Sequence, residues 1–297
     1  MSLAFLAEQS FNALQLGLML FLMAVGVTLA FGTMRLINLA HGSFFMLGAY
    51  FYAYIVTQLE SGVAAWIGAL LGLAVLALVI ERLIIRPLYL RDHLEQVLAT
   101  FGLILVFNDL VMMIWGRDPL YVPLPDVFSG HVMLGDVAYP TYRLVITAVA
   151  ILIGLALWYL IARTRAGGLI RASADNRAVV QALGANVDRL GAGVFALVAL
   201  LAGIAGIMTA PLIAVASGMG DAVLIQSLVV VIIGGLGSIV GALVGALLVA
   251  FVEVFGRTYL PMAFGNTTGF ALANMAIYFL MALTLIWRPF GIFGKPR

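Results

Sequence analysis

The chain has 297 residues, of which 64% are apolar and only 9% charged, whereas a soluble domain carries about a quarter of its residues charged. The surface that lacks charge must face lipid, so a water-soluble fold is excluded and the chain reads as an all-α polytopic integral membrane protein. A net charge of +2 gives no basis for binding nucleic acid, and the absence of Cys excludes disulfides, thiolate metal sites and a Cys nucleophile.

The first residues, Met1 to Gln9, contain no Lys or Arg. They lack the basic region of a cleavable secretory signal and read as mature sequence. Segments apolar enough to span a bilayer, which takes roughly 20 residues, follow near Phe11 to Phe31, Gly42 to Val56, Ala64 to Ile80, Val97 to Trp115 and Leu144 to Ile161. Four more lie near Leu190 to Pro211, Ala222 to Ile233, Ile239 to Phe255 and Gly269 to Trp287. The expected architecture is a single permease-like bundle of about 8–9 transmembrane helices. Two segments, at Gly42 and Ala222, are short and lie beside glycines, as broken or re-entrant helices do.

Nine spans partition the basic residues unevenly. One set of loops holds Arg35, Arg82, Arg86, Arg91, Arg163, Arg165, Arg171, Arg177, Arg189, Arg288, Lys295 and Arg297, and the other only Arg117, Arg143 and Arg257. Short cytoplasmic loops collect Lys and Arg, so the expected topology is N-terminus outside and C-terminus inside. Residues 116–141, with Asp118, Asp126 and Asp136, form the extracytoplasmic loop; 163–189 is the largest cytoplasmic one.

Within that inner loop, Asp175 to Leu183 closed by Gly184 predicts a short capped helix. Asp175 would accept from the free amides of the first turn, and Gly184 would take the left-handed conformation past the end. Val179, Val180 and Leu183 are placed on one apolar face. Two turns are not stable alone in water, so that face needs a surface to rest on. One reading lays the helix on its own bundle or on anionic lipid through Arg171 and Arg177. The other seats it in the groove of a cytoplasmic ATPase.

Several stretches resemble the branched-chain amino acid ABC transporter permease family. Arg171-Ala172-Ser173-Ala174-Asp175 followed by Ala182-Leu183-Gly184-Ala185-Asn186 looks like that family's ATPase-coupling loop. Met34 to Gly42, with Leu47-Gly48-Ala49-Tyr50, is similar to its amino-terminal signature. Glu81-Arg82, Arg86-Pro87-Leu88, Ala99 to Leu103 and Gly234-Gly235-Leu236-Gly237-Ser238 agree in the same order, and the likeness is to the shorter, H-type permease. Ser43 departs from the acidic or small residue common after His-Gly. The resemblance implies an inner-membrane importer subunit for branched-chain amino acids, with urea and short amides as the alternative cargo. It also implies a second homologous permease, two ATPase subunits that bind the ATP, and an extracytoplasmic substrate-binding protein.

Missing motifs support the same class. A phosphate-binding loop needs a Lys after its glycines, and the single lysine, Lys295, precedes Pro296. The chain is therefore not read as an enzyme, and no cofactor or metal of its own is expected. An ion-driven secondary transporter would need carboxylates in mid-span, which are scarce. An intramembrane hydrolase would need a nucleophile or an acid pair, and Gly218-Met219-Gly220-Asp221 reads instead as a turn with Asp221 capping the next helix.

Asn38, His41 and Gly42 are expected at a helix break along the pathway. Asn108 and Asp109 are the ionisable or polar candidates within the fourth span, Asp109 the stronger of the two. Glu253 is expected near the outer end of the eighth span. Gly237, Gly241 and Gly245 are expected to let helices pack closely.

Overall fold

The computed structural model describes residues 3–294, less Arg35, Ile37, Leu90 and Asp136, and less the side chains of Leu134, Arg177 and Ala178. The expected positions of Arg35, Asp136, Lys295 and Arg297, and of the Arg177 side chain, lie outside the described residues. The chain is helical almost throughout. Its elements are α1 (Leu3–Met34), α2 (His41–Leu59), α3 (Gly62–Ile80), a π-helical turn (Glu81–Ile85), α4 (Arg86–Leu88), α5 (His93–Trp115), β1 (His131–Leu134), β2 (Val137–Pro140) and α6 (Thr141–Arg163). The remainder are α7 (Arg165–Asp175), α8 (Arg177–Ala182), α9 (Val187–Thr209), α10 (Met219–Gly234), α11 (Ile239–Phe264) and α12 (Asn266–Trp287).

Each of the nine apolar segments is a helix, and among the described residues 7 helical runs are long and apolar enough to cross a membrane. The two segments singled out as short are the exceptions. α10 has 16 residues, and α2, with 19, carries His41, Ser43 and Gln58. The reason α2 tolerates His41 and Ser43 is its setting: the whole stretch from His41 to Tyr50 is buried, so protein surrounds it instead of lipid, while Gln58 lies exposed at the end of the helix.

Side-chain caps mark the helix starts, as orphan amides require. Ser61 accepts from the Ala64 amide, Asp92 from Glu95, Thr164 from Gly167, Asn186 from Arg189 and Ser238 from Gly241. Past α3 the helix widens into the π turn, where the Arg86 amide donates to Glu81 O. Pro87, which has no amide to give, follows at once, and the widened turn lets the helical run continue to Leu88 despite it.

The chain divides into two compact units, Leu29–Pro123 with Gly154–Ile225, and Met1–Thr28 with Leu124–Ile153 and Gln226–Arg297. In the first, α2 is the central helix. A side chain at Gly48 would strike the Gly203 backbone, and one at Gly206 the Phe45 backbone, so α2 and α9 touch main chain to main chain. Phe44 stacks edge-on against Phe195 at 5.7 Å and tilts against Phe107 of α5 at 6.3 Å.

In the second unit α11 and α12 form an antiparallel hairpin, and α11 lies on the second half of α10. The segment after α12 returns to the end of α10, where the Ile292 and Phe293 amides donate to Ile233 O and Gly234 O. β1 and β2 form an antiparallel hairpin within residues 116–141, which the composition alone presents as an irregular loop. Burial raises the pKa of the Tyr139 phenol there, with Arg143 acting against the shift. Its hydroxyl donates to Asn12 Oδ1 at 3.1 Å.

Candidate functional site

The loop between α6 and α9 contains two helices where one is expected. Gly167 lets α7 fold back on the last turn of α6, since a side chain there would meet Leu160 and Ile161 main chain. α7 ends at Asp175, so Asp175 does not cap α8. The cap is Asn176, whose side chain accepts from the Val179 amide at 3.2 Å. A carboxylate that closes one helix cannot open the next, and the extended residue between them takes the role. Gly184 has φ of 87°, the left-handed conformation that ends the helix.

The three apolar residues of α8 do not share one environment. Val180 is 5% exposed, whereas Val179 is 51% and Leu183 82% exposed. Val179 and Leu183 stand one turn apart, i to i+4, and share a face; Val180 is turned 100° from Val179, toward α7 and α9, against which α8 packs. The helix is thus seated on its own chain by one valine and presents two other apolar side chains outward. Arg171 and Asp175 are exposed beside it.

The break before α2 carries the second group. Asn38 Oδ1 accepts from the Ala40 amide at 3.0 Å, and Thr100 Oγ1 of α5 accepts from the Leu39 amide at 3.2 Å. His41 is buried at the first position of α2. Gly42 meets the Gly220 backbone of α10, and either side chain would collide with the other's carbonyl. The first turns of α2 and α10 are therefore in main-chain contact.

A third group lies between α5 and the segment 210–218 that precedes α10. Asn108 Nδ2 donates to Asp221 Oδ2 at 3.4 Å, and Ser217 Oγ donates to Asn108 O at 3.0 Å. Leu120 and Val215 exchange both backbone hydrogen bonds nearby. Asp109, preferred to Asn108 on sequence, is exposed on the other side of α5; one residue along a helix is a turn of 100°, and it is Asn108 that faces α10. Asp221 lies inside the first turn of α10 and its carboxylate bonds the Asn108 side chain.

The carboxylates Glu253 and Glu81 are both closed by an arginine. α11 continues to Phe264, so Glu253 is not at a helix end; it is buried, accepts from Gln226 Nε2 at 3.0 Å and pairs with Arg257 at 3.0 Å. Glu81, in the π turn, pairs with Arg86 at 3.1 Å and accepts from the Tyr89 hydroxyl at 3.2 Å. Sequence reasoning missed this closed pair, although an acid five residues before an arginine-proline step is a readable signal.

Gly241 and Gly245 pack α11 on the Gly234 and Val230 backbone of α10. Gly237 does not take part. Nothing lies within 4 Å of where its side chain would be, and its φ of 85° makes it the turn residue before α11.

A family model described as branched-chain amino acid transport system / permease component matches residues 9–286. The chain is 29% identical to the high-affinity branched-chain amino acid transport system permease protein LivH of Escherichia coli K12, over 98% of this chain and 96% of that one. It is 27% identical to the corresponding permease BraD of Pseudomonas aeruginosa, with the same coverage. A weaker likeness, 27% over 84% of this chain and 78% of the relative, is to the ribose import permease RbsC of Escherichia coli K12. No solved structure matches the chain.

Proposed function

The chain belongs to the branched-chain amino acid transport permease family and is a multi-pass membrane transport protein; we propose that it is a permease subunit of an ATP-driven importer of branched-chain amino acids. In this reading ATP is bound and hydrolysed by two separate cytoplasmic subunits, because the chain has no phosphate-binding loop. A second homologous permease completes the pathway, and an extracytoplasmic binding protein delivers the substrate to the loop of residues 116–141.

The observation that carries the proposal is the seating of α8. Val180 anchors the helix to its own chain, while Leu183 and Val179 are presented outward at one turn's spacing. A helix resting on its own bundle would bury all three residues. An apolar pair held out from a rigid mount is what a groove on an ATPase would receive. The basic residues around it, Arg163, Arg165, Arg171 and Arg189, support the inner side for this loop and an outside N-terminus.

Reconstitution of the permease with its ATPase subunits and binding protein in vesicles tests the reading. Leucine uptake is expected to require ATP and to be indifferent to an ionophore. Uptake that continues without nucleotide and stops with the ionophore would assign an ion-coupled mechanism instead.

A further inference from the structure

We propose that Asp221, with Asn108 beside it, receives the ammonium group of the amino acid as it passes through the permease. The assignment rests on the reading of the chain as an amino-acid permease and adds to it the residue that meets the cargo's charge. Asn108 lies seven residues before the end of α5 at Trp115, which at 1.5 Å per residue is about 10 Å inside the helix end. Its apolar neighbours along α5 are Leu105, Val106, Phe107, Leu110 and Val111, with the adjacent Asp109 turned to the exposed side of the helix. In this apolar setting Asn108, Ser217 and Asp221 bring together a carboxamide, a hydroxyl and a carboxylate.

The contrast with the other acids of the spans gives this site its meaning. Glu81 is closed by Arg86 and Glu253 by Arg257, while Asp109 lies exposed on the other side of α5, away from this group. Among the described residues no cationic side chain is bonded to Asp221, whose partner is the neutral Asn108 amide. Asn108, Ser217 and Asp221 are also neither buried nor fully exposed, so the group opens onto the surface of the chain. An ionised carboxylate left open at this depth is costly against lipid and belongs beside water or a counter-charge. A zwitterion supplies that counter-charge and takes it away again, which a resident arginine would prevent. The Asn108 amide holds the carboxylate in place from the side and leaves its remaining acceptor positions for the cargo.

The test uses the complete transporter in vesicles with radiolabelled leucine. Asp221→Asn keeps an oxygen that can accept from Asn108, so the link between α5 and α10 survives while the charge is lost. Leucine uptake per ATP hydrolysed is expected to fall about tenfold or more, the loss typical of a charge-assisted contact, with all subunits still co-purifying. The exchange Asn108→Asp with Asp221→Asn, which moves the charge by one hydrogen bond, is expected to recover a substantial part of the uptake. Undiminished uptake by Asp221→Asn would overturn the assignment, as would an exchange variant no better than the single one. Loss of the second permease from the Asp221→Asn complex would make the group a subunit contact and overturn it too. A wild-type transporter that imports no amino acid would sink the functional reading itself, whereas wild-type import with undiminished Asp221→Asn import sinks this assignment alone.

Discussion

Glu81 and Arg86 face each other at 3.1 Å across a π-helical turn, the carboxylate 1% exposed and the guanidinium about a quarter exposed. The two ends are thus unequally dry. Removing Arg86 strands a buried carboxylate without its counter-charge, while Glu81→Gln leaves a neutral side chain that still accepts from Tyr89. Thermal unfolding in detergent is expected to show Arg86→Leu as much the more destabilised of the two. Equal midpoints would mean that the pair contributes little beyond its geometry.

Val180 and Leu183 separate folding from coupling within a single short helix. Val180→Asp buries an unpaired charge against α7 and α9 and is expected to lower the amount of folded protein in the membrane, by several kcal/mol of stability. Leu183→Asp alters only an exposed position and is expected to leave abundance normal, while ATPase co-purification and uptake are lost. If Leu183→Asp retains both, α8 is not the docking element.

Topology can be read with single cysteines, since the chain has none. Val127, exposed in the loop of residues 116–141, is expected to react with an impermeant maleimide in intact cells when replaced by Cys. Leu183→Cys is expected to react only after the membrane is opened. Reaction of position 183 in intact cells would invert the orientation.

The backbone contact between α2 and α9 predicts a steep dependence on side-chain size. Gly206→Val has no room, because its first carbon already meets Phe45 main chain; the loss is expected to be 3 kcal/mol or about that, enough to deplete the folded protein. Gly102→Ala on α5 meets nothing within 4 Å and is expected to stay within about 1 kcal/mol of wild type. Abundance of the two variants in membranes after equal expression is the comparison that decides.

Hydropathy makes the helices readable because lipid imposes length and composition at once. All nine segments can be placed that way, and the glycines beside Gly42 and Ala222 mark the two that are short. What a linear pattern does not carry is rotation. The sequence favours Asp109 over Asn108, and only the packing of α5 against α10 shows that it is Asn108 that turns inward. Val179, Val180 and Leu183 look like one face because two turns of helix offer so few positions; the burial of Val180 alone depends on where α7 and α9 lie. Glu253 reads as a helix end because Arg257 follows it, yet α11 passes both and even Pro261 before it stops at Phe264. Gly237 sits at the same spacing as Gly241 and Gly245 but falls in the turn, which the spacing alone does not distinguish.

The burial of α2 also sets an order of events during synthesis. Its main neighbour, α9, begins 128 residues after α2 ends, and at 5–20 residues per second a ribosome takes on the order of ten seconds to make that stretch. For that interval His41, Ser43 and the bare backbone at Gly48 have no α9 to cover them. The nascent chain must either hold α2 at the membrane surface or shelter it beside another protein until the partner helix arrives. A variant that delays α9 further, for instance by a long insertion at the exposed Ser129 in the loop of residues 116–141, is then expected to be degraded in the membrane even though the contacts between α2 and α9 could still form.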